Sequence, residues 1–249
     1  TGKTMTVDNV ISETYTEVNY KKGNTEKKIS TDKVLDIKYY DVPNSYKNAL
    51  AFALNGEYEN AIASFKLAKE DSNVRSWIKS YSLIEMGKVY QQWGLTDKAK
   101  VTDAISTFNE VLTSDPESRF YADILLNLGR SQALAGDLPA ATTTFDRLSQ
   151  EAYDKKLGVI WEARAKIEKA NAQLQGKKFG DAERDYRSAM TFATEQAGSA
   201  TDEILKENLL AIAGRAKQGQ GSVMIEKKDY RKAAQFFKDL ISDTAAERT

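Results

Sequence analysis

The chain has 249 residues, with 36 Lys and Arg against 36 Asp and Glu, 41% hydrophobic residues, no Cys and no His. A balanced charge argues against a dedicated electrostatic nucleic-acid binder. Missing thiols and imidazoles exclude disulfides, zinc sites built on Cys or His, thiol nucleophiles and imidazole acid–base chemistry, which leaves catalysis to carboxylates, Lys or Tyr alone.

Residues 1–41 read as a β module. Thr16, Val18 and Tyr20 fall on one face of an alternating run, as do Leu35, Ile37 and Tyr39 of another. Lys22-Gly23-Asn24-Thr25 is a hairpin turn between two such runs. Strands are predicted near 4–12, 14–22, 26–31 and 33–40, making a small curled sheet. Lys21, Lys22, Lys27 and Lys28 flank the hairpin tip, where a solvated turn outweighs a phosphate or lipid contact.

From residue 42 onward the chain is helical. Pro43 holds Val42 extended, with Asn44 or Ser45 as the expected cap of the first helix. Helices are predicted in pairs: 44–54 with 58–70, 74–93 with 99–114, 117–135 with 138–151, 155–176 with 179–197, and 201–226 with 229–246. Asp115 and Glu117 flank Pro116 as a capping pair, and Pro139 fits a first helical turn. Residues 197–202 form the longest expected break, with Thr201 or Asp202 as cap. Trp77, Trp93 and Trp161 read as packing residues at helical spacing.

One pattern recurs through these pairs. Gly56, Tyr58, Ala61, Phe65 and Ala68 return as Gly94, Ala104, Phe108 and Val111, and then as Gly136, Leu138, Ala141, Phe145 and Leu148. Lys177, Phe179, Ala182, Tyr186 and Ala189 follow, then Lys228, Tyr230, Ala233, Phe237 and Leu240. A small residue, a ring four places on and a small or aliphatic residue three further share one helix stripe. The small residue admits a neighbouring helix, and the ring fills the gap between layers. Such units bury their faces only by stacking on one another.

These residues resemble the tetratricopeptide repeat. Gly87 with Leu83, Met86 and Tyr90, and Gly129 with Leu125 and Leu128, match the half-signature of its first helix, and Pro116 stands at its closing proline. The resemblance implies an α-solenoid of about five helical hairpins over residues 42–249, although the alanine spacing is uneven. Residues 1–41 are similar to a small β module found ahead of such repeats in some exported bacterial proteins, with Thr1-Gly2-Lys3 and Ser12-Glu13-Thr14 as its turns. On that reading an opening strand precedes Thr1, and export to the periplasm or cell envelope is expected, with the targeting segment absent from this chain through either processing or trimming. No apolar run is long enough to span a membrane.

The resemblance also places a groove along the first helix of each hairpin. Its inward residues are Tyr81, Ile84 and Lys88, then Asp123, Asn127 and Arg130, then Arg164, Glu168 and Asn171, and finally Arg215, Gln218 and Ser222. Arg and Asn in this setting clamp peptide backbone or carboxylate. The Lys- and Asn-based clamp that some family members use for acidic C-terminal peptides is absent, since Tyr46, Leu50, Glu85 and Asp123 stand at its places. No catalytic, cofactor or metal constellation is legible. The sequence therefore points to a scaffold that holds a protein or peptide partner, through this groove or the edge of the N-terminal sheet. The alternative is a structural component that assembles with other copies of itself.

Overall fold

The computed structural model describes residues 3–72 and 75–246. Part of the Thr1-Gly2-Lys3 turn lies outside them. The chain divides into two compact units, residues 1–137 with 155–157, and residues 138–154 with 158–249.

In the first unit, β1 (Asn9–Glu13), β2 (Glu17–Lys22) and β3 (Thr25–Ser30) form an antiparallel sheet in the order β1-β2-β3. Gly23 takes φ +61° at the β2–β3 turn, a backbone geometry that glycine adopts without strain. Five helices follow: α1 (Asn44–Leu54), α2 (Tyr58–Glu70), α3 (Ser76–Trp93), α4 (Ala99–Ser114) and α5 (Tyr121–Ala135).

The sheet has three strands among the described residues, not four. After β3 the chain makes a single 3-10 turn at Thr31–Lys33, which carries residues 34–43 away from the ladder. Arg119 Nη2 donates to the carbonyls of Val34 at 3.3 Å and Leu35 at 3.2 Å, and the Tyr39 ring stacks on Trp77. The alternation of Leu35, Ile37 and Tyr39 thus belongs to an extended strap. Leu35 is 82% exposed, so these residues share no buried sheet face.

Two helix starts also differ from expectation. Pro43 stands at the N-cap of α1, and its carbonyl accepts from Lys47 N at 3.1 Å, so Asn44 and Ser45 already lie inside the helix. The fifth helix begins at Tyr121, not 117, because Glu117 and Ser118 are engaged by the β module. Tyr15 N donates to Glu117 O at 3.0 Å, and Thr14 bridges Ser118. Asp115 ends α4 in place of capping α5.

Packing follows the recurring stripe. Ala61, Phe65, Ala68, Ala104, Phe108 and Val111 are wholly buried. Phe108 lies against Gly87 of α3 so closely that a Cβ there would fall 2.6 Å from its ring. Glycine at 87 is therefore a packing requirement of the α3–α4 hairpin.

The second unit holds α6 (Leu138–Asp154), α7 (Val159–Gln175), α8 (Phe179–Ser199), α9 (Glu203–Glu226) and α10 (Tyr230–Ala246). Ala141, Ala182 and Ala233 are again buried, and the rings of Tyr186 and Phe237 lie on Gly219 and Gly221 of α9. The expected break at 197–202 shrinks to residues 200–202, since α8 continues to Ser199 with Ala193 and Ala197 buried. The long interval between Ala182 and Ala233 comes instead from helix length, 21 residues in α8 and 24 in α9. Asp202 caps α9 as expected, accepting from Leu205 N at 2.7 Å.

In four of the five repeat copies the opening residue takes left-handed backbone: Gly56 and Gly136 have φ of +78° and +85°, and Lys177 and Lys228 are held at +56° and +62°. Gly94, which opens the second copy, is right-handed at φ −58°. A Cβ in that left-handed region costs about 1–2 kcal/mol. Lys177→Gly is expected to raise the unfolding free energy by about 1 kcal/mol in urea denaturation, part of the gain being offset by the freer unfolded chain.

Candidate peptide-binding cleft

A cleft of about 560 Å³ opens in the first unit between the strap and the inward sides of α1 and α3. Tyr46, Lys47 and Leu50 line it from α1, Trp77, Tyr81, Ile84 and Glu85 from α3, and Phe120 from the residue before α5. Asp36, Ile37, Lys38, Tyr39 and Val42 close it from the strap. The helical periodicity of α3 brings Trp77, Tyr81, Ile84 and Glu85 to this side.

A ladder of rings forms the floor. Tyr39 stacks on Trp77 with centroids 4.0 Å apart and planes at 13°, and Trp77 meets Tyr81 edge-on at 5.0 Å. Tyr81 meets Phe120 at 5.0 Å, while Tyr46 touches Trp77 at 6.0 Å and Phe65 at 5.5 Å. Edge-to-face and offset pairs such as these fix ring orientation beyond simple burial.

Behind the ladder lies a charged node. Tyr81 OH donates to Glu13 Oε2 at 2.8 Å, and Tyr39 OH donates to Glu13 Oε1. Arg119 Nη1 stands 3.5 Å from the same carboxylate, with both side chains less than a tenth exposed. Glu13 comes from β1, Tyr39 from the strap, Tyr81 from α3 and Arg119 from the α4–α5 connection, so four separate segments meet at one carboxylate. A second cleft of about 580 Å³, which includes Lys69, Lys79, Glu110 and Ser114, adjoins the node.

Burial raises the pKa of the Tyr46, Tyr39 and Tyr81 phenols well above their ordinary 10.0, and the Glu13 carboxylate adds to the effect at Tyr39 and Tyr81. A raised phenol pKa means that the folded state holds its proton more tightly than the unfolded state. Stability is then fully present below pH 10 and lost as pH rises above it. The loss is of order 1 kcal/mol per pH unit for each buried phenol. The melting temperature is expected to fall steeply above about pH 10, and Tyr81→Phe to flatten that fall, as a pH series of thermal melts would show.

The residues that the repeat register selects are distributed as follows. In the first unit, Tyr81 lines the cleft. Burial would lower the pKa of Lys88, but Glu85 at 3.0 Å and Asp123 at 3.6 Å outweigh it and hold the ammonium above its ordinary value. Asn127 is buried, its Nδ2 donating to Asp123 O at 2.9 Å and its own carbonyl accepting from Gln91 Nε2 at 2.9 Å. Arg130 is exposed at the surface of α5.

In the second unit, Arg164 sits over the Trp161 ring at 4.8 Å. Asn171 Oδ1 accepts from Tyr186 OH at 2.6 Å, and burial pushes that phenol up to about 12. Arg215 and Gln218 are exposed on α9. Trp77 is half-buried, packing against the first-unit core as expected while also lining the cleft, and the role of Glu13, Tyr39 and Arg119 was not legible from spacing. The only sequence signal at Glu13 was its place in the expected Ser12-Glu13-Thr14 turn, where the structure instead has Ser12 and Glu13 paired in β1 with Asn19 and Val18.

The fold is that of a tetratricopeptide-type helical-repeat protein, with a small antiparallel sheet at its N-terminal end. Similar solved structures include MamA, at 19% identity and a TM-score of 0.54 over 85% of this chain and 99% of that one. A putative kinesin light chain of Podosopora anserina with nearly identical TPR-like repeats is also similar, at 14% identity and a TM-score of 0.59 over 82% of this chain and 94% of that one. The apo form of RapI matches at 12% identity and a TM-score of 0.56 over 82% of this chain and 70% of that one. No protein-family model and no curated protein matches the sequence. No helix among the described residues is long and apolar enough to cross a membrane.

Proposed function

We propose that this protein is a non-catalytic scaffold that holds a protein or peptide partner, with the first-unit cleft as one seat. The carrying observation is the ring ladder Tyr46–Trp77–Tyr81–Phe120 that floors an open cleft, rimmed by Lys38, Lys47, Asp36 and Glu85. Aromatic rings with a few charged groups around them anchor peptides at low entropic cost. In the second unit, Arg164, Asn171, Arg215 and Gln218 remain the residues assigned to partner contact, as do Lys88 and Arg130 in the first, whereas the buried Asn127 is committed to its own helix.

A photo-crosslinking amino acid at Leu50, which lines the cleft and is 41% exposed, tests this reading. The expected result is a discrete crosslinked protein. Capture no greater than from Leu67, an exposed residue of α2, would overturn it.

A second reading, self-assembly, is favoured by α10. Tyr58 touches Trp93 of the following hairpin, and Phe179 is half-buried, whereas their counterpart Tyr230 is 63% exposed. An α10 face equivalent to one that is covered in the other hairpins suits docking of another copy. A single monomeric mass by light scattering across a wide concentration range would end this reading.

A further inference from the structure

The strap forms one wall of the cleft and is itself held on the helices as a bound peptide would be. Residues 34–43 have no ladder partner, and they run beside α1 and α3 with a bend at Tyr40 and Asp41. Their fixings are those a protein uses on a peptide ligand. Arg119 Nη2 takes the carbonyls of Val34 and Leu35. Tyr39 lays its ring on Trp77 and gives its hydroxyl proton to Glu13. Two residues on, Asp41 forms an ion pair with Arg75 Nε at 2.6 Å. Tyr40, between them, is 89% exposed and contributes nothing to the seat.

We infer that residues 34–42 occupy in cis the seat of a partner's segment, one that carries a tyrosine followed, across a bend, two residues later by a carboxylate. The inference rests on the scaffold reading and names its ligand chemistry. The tyrosine enters between Trp77 and Tyr81, its hydroxyl reaches the Glu13 carboxylate, and the acidic side chain meets Arg75. Main-chain carbonyls four and five residues ahead of the tyrosine fall to Arg119.

The built-in occupant also sets a threshold. A short tether holds the strap at an effective concentration of about millimolar, so a free segment of equal quality competes poorly. A partner gains access by binding more tightly, or by adding contacts beyond the strap's own.

The test uses the full chain and a labelled synthetic peptide of residues Val34–Val42. Tyr39→Ala weakens the strap and frees the seat. The peptide is expected to bind this variant at least about tenfold more tightly than the unaltered chain, since a buried aromatic anchor carries an effect of that size. Replacing the peptide's own tyrosine by alanine, or its Asp41 by asparagine, is expected to reduce binding to the variant. Equal binding to both proteins, no binding to the variant, or indifference to the tyrosine would each overturn the inference.

Hydrogen exchange on the unaltered chain gives a readout free of folding defects in the variant. Amides 35–42 are expected to exchange at least about a hundredfold faster than those of α3 near Leu83–Val89, and equal protection would overturn the inference. A dimer that becomes monomeric in Tyr39→Ala would mean that the seat holds the strap of another copy, which also overturns it. Crosslinking of a protein at Leu50 with no binding of the strap peptide would remove this inference and leave the scaffold reading standing.

Discussion

Phe108→Ala is expected to destabilise the protein by about 3–5 kcal/mol. Phe108 is wholly buried, with Leu83, Ile84, Val111, Ile124 and Leu128 in the same core cluster. Removing the ring costs its transfer free energy and leaves a cavity that rigid helices fill only in part. Gly87→Ala alone is expected to cost about 1–3 kcal/mol despite the better helix propensity of alanine, because the new Cβ overlaps the ring. In the double variant the methyl enters the vacated space, so the two costs should add to less than their sum. Urea titrations followed by Trp77 and Trp93 fluorescence measure all three. Strict additivity would mean that the two residues do not meet, and would sink the account of the repeat stripe given above.

Glu13→Gln is the second large effect, about 3 kcal/mol. Its cause is electrostatic. The substitution leaves the buried Arg119 guanidinium without its counter-charge, and the new amide nitrogen cannot accept a proton from a phenol. One of Tyr39 and Tyr81 then loses its acceptor as well. Glu17→Gln is the matched control. Glu17 pairs with Lys28 at 3.2 Å on the exposed sheet surface, where solvent leaves little for the pair to contribute. Thermal melts of both variants separate the cases. A Glu13→Gln loss no greater than that of Glu17→Gln would show that the node is not a fastening point for the β module.

The helical part of this fold was written locally. Each hairpin needs a small residue, a ring and a turn residue at fixed distances along one helix, and all of these lie within a few turns of each other in sequence. Ala61, Ala104, Ala141, Ala182 and Ala233 therefore identify buried helix contacts without knowledge of what they touch. Helix ends were less legible. At α5 the backbone of Glu117 and Ser118 is claimed by the connection between β1 and β2, and at α8 burial of Ala193 and Ala197 prolongs the helix past small residues that read as a break.

The cleft was decided by tertiary structure. Periodicity placed Tyr81 on an inward face, but nothing in the spacing of Glu13, Tyr39 and Arg119 announces that they share one carboxylate. An alternating run such as Leu35, Ile37 and Tyr39 fits a sheet face and a strap equally well, since both are extended backbone. The choice rests on which distant groups can satisfy that backbone. Here an arginine side chain takes two strap carbonyls and a tryptophan ring holds the strap's tyrosine, in place of a fourth strand. Local pattern thus set the hairpins, and long-range pairing of buried polar groups set the surface they offer.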